Sequence, residues 1–235
     1  MWCGTISIMK YIDAHCHLDS RPLLDGVAVA IANATHPSDW DTVVNMSGQC
    51  GMFGAIGVHP WHVADLPANW AEQMRTRLVA NPRLMVGEIG LDKHHPDMAT
   101  QLTIFTTQMQ MAAEFGRVAH IHCVGTWNRV LAVLSEFMPP AIVLHDFSAS
   151  SEIMHALAKY NAYFSFGRAI CNPLRRRARN ALRAAPENRI LSESDTDCPA
   201  NVIPVVAKMS EFLARPLADV TETIYNNAMD LLKND

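Results

Sequence analysis

No stretch of this chain approaches the roughly 18 uninterrupted apolar residues of a membrane-spanning helix, so a membrane protein of that kind is not expected. The first ten residues carry no basic start, no apolar stretch long enough for a leader and no small-residue cleavage site, so no secretory signal is expected. Cysteine is sparse and scattered: Cys3, Cys16, Cys50, Cys123, Cys171 and Cys198 form no CxxC pair. That pattern excludes a disulfide framework and reads as reduced thiols in a cytoplasmic protein. Positive charge is not in excess, since 19 Lys and Arg face 23 Asp and Glu for a net charge of -4. Coating nucleic acid by bulk charge is thereby excluded, and any basic contact must be local. There is also no internal repeat, no low-complexity segment and no linker that would divide the 235 residues, which points to one domain over 1–235.

What is present is a hydrophobic fraction of 49%, too high for disorder, and a recurring pattern of short apolar runs ending in polar or ionisable residues. Eight runs read as strands: residues 11–17, 27–33, 54–59, 84–88, 118–122, 141–145, 161–166 and 189–193. Residues 42–46 compete with the second run. The earlier segment is preferred, because Ser38 and Asp41 resemble a capped helix start and predict a helix over 39–49. Further helices are expected over 69–80, 98–115, 126–137, 151–159, 173–185, 201–213 and 219–232, with Leu102, Phe105, Met109 and Ala112 on one apolar stripe. Strands alternating with helices imply parallel pairing through crossovers. The expected fold is α/β, a slim single-domain (β/α)8 TIM-type barrel. An open doubly wound sheet is the competitor, but its Gly-rich phosphate turn is missing: the first run ends in His15-Cys16-His17 instead.

Eleven histidines are the anomaly in the composition. Aligned by their C-terminal ends, the runs finish in His15 and His17, Glu88, His122, His145, and Ser194-Asp195. In a parallel barrel these ends converge on one face. His15 and His17 are two residues apart, so both imidazoles project to the same side while Cys16 points away. Glu88, flanked by glycines in VGEIG, has room to bridge two ions. His122 and His145 come from adjacent strands, and Asp195 lies beside the first strand. Four imidazoles and two carboxylates suit Zn²⁺ or Mn²⁺, with Mg²⁺ as a further option. His120 shares a face with His122 but lies deeper and reads as packing.

These segments resemble the TatD-type metal-dependent deoxyribonucleases, within the amidohydrolase-like metal-dependent hydrolases. The resemblance rests on IDAHCHLD (12–19), GVHPW (57–61), VGEIGLD (86–92), IHC (121–123), LHDFS (144–148), SFG (165–167) and LSESD (191–195), in family order, with Gln101 and Phe105 fitting the helix between. It implies a binuclear site holding two divalent metal ions. His15, His17, Glu88 and Asp195 would serve one ion, and Glu88, His122 and His145 the other. It also implies cleavage of nucleic-acid phosphodiesters, DNA foremost, as single strands or at 3′ ends, often as a 3′–5′ exonuclease. The chain differs from the family where Cys123 and Val124 follow His122 in place of Arg, and at Ala149. In Glu193-Ser194-Asp195-Thr196-Asp197-Cys198-Pro199, Asp197 competes with Asp195, and Asp195 is preferred for its place after Glu193.

The implied chemistry is attack on phosphorus by a hydroxide that the two ions share, with Asp195 and Glu88 as catalytic residues and Asp195 taking the proton. His59 and Asp92 are expected to line the pocket or orient ligands, although GVHPW could equally form a rigid turn. Arg168, in the loop before the basic run 175–177 with Arg179, and Arg175 at the start of that run are expected phosphate contacts, Arg168 being the better placed; the run as a whole reads as a solvated helix face. His94, His95 and Asp97 read as solvated loop residues. Two other functions remain in play. One is hydrolysis of amides or esters, disfavoured because Glu88 stands where many such barrels bridge their ions with a modified lysine, and Lys93 is too far into the loop. The other is a barrel that keeps its metals but only binds. Whether the chain self-associates is not legible.

Overall fold

A computed structural model describes residues 9–18 and 26–233. Residues 1–8 with Cys3, and Asp19 at the end of the IDAHCHLD segment, lie outside the described residues. Eight apolar segments pair in parallel and in chain order, as a nearly closed barrel. They are β1 (Tyr11–Cys16), β2 (Val27–Asn33), β3 (Met52–Ile56), β4 (Met85–Asp92), β5 (Ala119–Val124), β6 (Ile142–Leu144), β7 (Ala162–Phe166) and β8 (Ile190–Ser192). All residues of β1, β4 and β7 are buried, as expected of strands covered on one side by helices and on the other by the barrel interior. From β2 onward each strand is followed by helix: α1 (Trp40–Met46), α2 (Trp70–Ala80), α3 (Met98–Glu114), α4 (Trp127–Glu136), α5 (Ser151–Leu157) and α6 (Arg176–Ala184), then α7 (Val202–Leu213) and α8 (Leu217–Leu231) after β8. No described helix is long and apolar enough to cross a membrane.

The seam between the last strand and the first is stitched by bonds that flank the ionisable residues. Asp195 N–H donates to the His15 carbonyl (3.0 Å), His17 N–H to the Thr196 carbonyl (2.9 Å), and the Ser192 hydroxyl to the Ile12 carbonyl (2.7 Å). Barrel closure and placement of His15, His17 and Asp195 are therefore one event.

Strand boundaries differ from expectation in an informative way. β4 runs on to Asp92 and β5 to Val124, so Glu88 and His122 lie inside strands and Asp92 ends one instead of lying in a loop. β6 and β8 stop early, leaving His145 and Asp195 just past their strands; His145 still continues the ladder by donating its N–H to the Ile121 carbonyl (3.2 Å). Residues 42–46 are helical, within α1. The cap of that region is not Ser38: the His36 imidazole accepts from Ser38 N–H to start a short 3-10 turn, and α1 follows it. The helix expected from residue 173 begins only at Arg176. On α3 the expected Phe105, Met109 and Ala112 are buried, Leu102 is only half-buried, and Gln101, Ile104 and Gln108 are buried beside them, so the apolar face is wider than the stripe expected.

Candidate metal centre

At the C-terminal mouth of the barrel, the Glu88 carboxylate is buried and each of its oxygens faces its own set of imidazoles. Oε2 lies 3.2 Å from His15 Nε2 and 3.4 Å from His17 Nε2. Oε1 lies 3.1 Å from His145 Nε2, 3.2 Å from His122 Nδ1 and 3.3 Å from His59 Nε2. Asp195 Oδ1 closes the first set, 3.2 Å from His17 Nε2 and 3.9 Å from His15 Nε2. Donor atoms of His15, His17 and Glu88 lie within 4.8 Å of one another, as do those of His15, His145 and Asp195, and those of His59, Glu88 and His122.

Local backbone geometry makes this possible. Gly90 has φ +152°, and a Cβ there would collide with the His122 carbonyl, with which it is in register across β4 and β5. A Cβ on Gly87 would meet the His120 Cβ at 2.6 Å, so the glycines on either side of Glu88 let β4 press against its neighbours. Asp195 adopts φ +53°, a left-handed conformation that Asp tolerates better than most residues.

Hydrogen bonds on the far side of each ring define which nitrogen faces the cluster. His17 Nδ1 sits 2.9 Å from the Asn33 carbonyl, which only accepts, so Nδ1 bears a hydrogen and Nε2 is the nitrogen turned toward the cluster. His122 Nε2 faces Asp92 Oδ2 at 3.4 Å and His145 Nδ1 faces Glu193 Oε1 at 3.4 Å, the carboxylate backing typical of ligating imidazoles. His59 is the opposite case. Its Nδ1 accepts from Trp61 N–H, so its Nε2 carries the hydrogen toward Glu88 Oε1 and acts as a donor. His59 thus caps the turn of GVHPW and sets its Nε2 against the Glu88 carboxylate.

Burial and the mutual charges of these groups act against each other across the cluster. Burial works to raise the Glu88 carboxyl, but the His145 and His15 imidazoles hold it well below the usual glutamate range. Burial would lower His145, yet Glu88 and Glu193 raise it well above an ordinary histidine, while His15 is lowered by burial and by the charge on His145. Burial also opposes ionisation of Asp195, and its bond from His17 with the neighbouring imidazoles brings it down to about 2.

Other expected residues lie further out. Arg168 is exposed on the 3-10 turn Arg168–Cys171, and Arg175 is exposed at the N-cap of α6, where its charge reaches Asp146. Arg179 and Arg183 stack on Phe212 instead, at 5.5 and 4.2 Å from the ring centroid. His120 is fully buried with Nε2 3.3 Å from Met85 Sδ, as packing requires. Two loop residues expected to be merely solvated have partners: Asp97 caps α3 through Thr100 N–H, and His95 stacks on Trp61. Sequence reasoning passed over Asn33 and Glu193 as supports, because a backbone carbonyl leaves no signature and a glutamate beside a better-placed aspartate draws no notice.

The whole fold has known counterparts. YjjV, a TatD homologue from Escherichia coli K12, superposes with a TM-score of 0.87 at 23% identity, covering 95% of this chain and 98% of that one. In sequence, an uncharacterised metal-dependent hydrolase of Mycoplasma pneumoniae is 27% identical over 95% of this chain and 99% of its own length. A 3′-5′ ssDNA/RNA exonuclease TatD of Erwinia billingiae is 29% identical over 63% of this chain and 58% of its own length. Residues 12–233 match the family described as TatD related DNase. The chain belongs to that family. The donor chemistry of this TatD-family protein fits hard-to-borderline divalent cations: imidazole nitrogens with their far sides backed, and carboxylate oxygens ionised at neutral pH.

Proposed function

We propose that this TatD-family chain is a divalent-metal-dependent nuclease that hydrolyses phosphodiester bonds of single-stranded nucleic acid, DNA foremost, from 3′ ends. The observation that carries the reading is the division of Glu88, one oxygen toward His15 and His17 and the other toward His122 and His145. In this reading two ions of Zn²⁺, Mn²⁺ or Mg²⁺ type are held by His15, His17, Glu88 and Asp195, and by Glu88, His122 and His145. Bound there, such ions acidify water and neutralise charge on the phosphoryl oxygens.

The chain's own groups supply the rest. Asp195, ionised and with its side chain 44% exposed, is the carboxylate open to the mouth; it takes the proton of the attacking water as the phosphorus–oxygen ester bond breaks, and the departing sugar oxygen takes up a proton from Asp195 or from solvent to leave as a hydroxyl. His59, donating from Nε2, steadies Glu88 Oε1, and Asp92 and Glu193 orient His122 and His145. Arg168 and Arg175 stand on the same face as outlying phosphate contacts. Lys93, whose side chain lies against Gly125 on the rim, leaves Glu88 as the group at the bridging place, which supports phosphoester over amide chemistry.

The test is metal analysis joined to parallel assays of a 3′-labelled single-stranded oligonucleotide and an amide panel with added Mn²⁺ or Zn²⁺. The expected result is two metal equivalents and oligonucleotide cleavage. His145→Ala should lose about one equivalent and at least about a hundredfold in rate. Full hydrolysis by that variant, or cleavage confined to amides, overturns the proposal.

A further inference from the structure

Beside the cage, GVHPW places an exposed tryptophan that no role above has used. Trp61 is 54% exposed, yet it is fixed on three sides. Its Nε1–H donates to Asp92 Oδ2 (2.9 Å), its edge meets the His59 ring at 5.0 Å, and one face stacks on His95 at 4.6 Å and 19°. The indole centroid is 6.4 Å from that of His122, so this rigid aromatic surface borders the centre itself. An exposed indole is ordinarily mobile and costly to leave in water; here three contacts hold it open to solvent next to the reacting position. His95 also lines a cleft of about 650 Å³ along the loops after β4 and β5, with Lys93, Asp97, Thr126, Asn128 and Arg129.

We propose that the Trp61–His95 pair is a stacking platform for the nucleobase that flanks the scissile phosphodiester, with the adjoining strand running into the Lys93–Arg129 cleft. The inference rests on the nuclease reading and names the residues that would grip its unpaired substrate. A base inside a duplex has both faces covered by its neighbours, so a base flanking the scissile bond offers a face to the indole once it is splayed out of its stack. Lys93 and Arg129 supply the local positive charge that the net acidity of the chain otherwise denies a polyanion. Stacking is sequence-tolerant because every base has an aromatic face, so the platform selects strandedness and leaves sequence unread.

The experiment measures fluorescence anisotropy of a labelled, phosphorothioate-linked single-stranded oligonucleotide with the Mn²⁺-loaded protein. The oligonucleotide is used intact and with one abasic residue placed in turn at each of the two terminal positions of either end. For the unaltered protein one abasic position is expected to raise Kd about tenfold. Trp61→Ala should bring that ratio to about one, whereas Trp61→Phe keeps most of it. Both variants lose the bond to Asp92, so a role through Asp92 alone would move them together. An unchanged abasic ratio in Trp61→Ala, or equal behaviour of the two variants, overturns the platform. Because binding is read without turnover, an abasic effect that depends on Trp61 in a protein that cleaves no oligonucleotide would sink the nuclease reading alone. Cleavage with no abasic effect would sink the platform alone.

Discussion

Asp13 sits directly beneath the cage, fully buried on β1, with Oδ1 accepting from Ser194 N–H (2.9 Å) and His15 N–H (3.3 Å) and Oδ2 without a partner. Burial pushes its carboxyl up to about 8, against the lowering effect of the Ser194 and His15 bonds. Between the ordinary aspartate value of 3.8 and about 8, the folded metal-free protein holds a proton there that the unfolded chain has released. Stability must then fall as pH rises through that window, by up to about 1.4 kcal/mol per pH unit. Asp195 has the opposite sign: its lowered value means stability is gained as pH rises from about 2 toward 3.8. Asp13→Asn keeps an acceptor for Ser194 and His15 but removes the titration. In urea unfolding with a chelator present, the variant should gain on the natural sequence progressively from pH 5 to pH 8. An identical pH slope for the two proteins would show that Asp13 is ionised when folded.

At the scale of elements, α3 is the strut that sets two of the loops around the centre. Gln108 is buried against the turn before His59: its Oε1 accepts from Val58 N–H (2.7 Å) and its Nε2 donates to the Val58 carbonyl (3.2 Å). Gln101, two helical turns earlier on the same face, accepts from Asp92 N–H (2.9 Å) and donates to the carbonyls of Asp92, His95 and Pro96. Gln108→Leu is nearly isosteric but orphans both backbone groups of Val58, so it should cost about 2–4 kcal/mol. In a chain of this size that lowers Tm by about 5–15 °C, readable by calorimetry. A Tm within a degree or two of the natural protein would mean that water replaces the amide. These struts also show what could be read from the chain and what could not. The eight strands, their order and the convergence of His15, His17, Glu88, His122, His145 and Asp195 were legible because apolar runs and their polar ends are local patterns. Strand ends were misplaced by a few residues because pairing with neighbours, as between Gly90 and His122, decides where a ladder stops. Gln101 entered only through the family resemblance, and Gln108, a heptad further on beside the same apolar stripe, drew no notice because an amide does not ionise. Trp61 and His95 meet only through the fold.

For the whole molecule, the decisive feature is that the cage draws on β1, β4 and β5 and on the segments just past β1, β6 and β8, and that its Asp195–His15 corner is also the barrel seam. A cation bound there contacts residues from one end of the chain to the other, none of which the unfolded chain holds together. Its binding energy therefore adds to global stability through mass action, about 2.7 kcal/mol when free metal is a hundredfold above its Kd. For about 235 residues that corresponds to a rise in Tm of about 5–10 °C over the chelated protein. The two halves of the cage differ in how much of the barrel they tie. His15, His17 and Asp195 join the first and last staves, whereas His122 and His145 join neighbours already paired in a ladder. On the proposed ligand set, replacing a residue at the seam, as in His17→Ala, should thus remove more of the metal-induced rise than replacing His145 with Ala. Scanning calorimetry with and without Mn²⁺ on both variants makes the comparison. Equal losses would mean that closure of the barrel does not depend on the cation, and that the backbone bonds of His15, His17, Asp195 and Thr196 hold the seam by themselves.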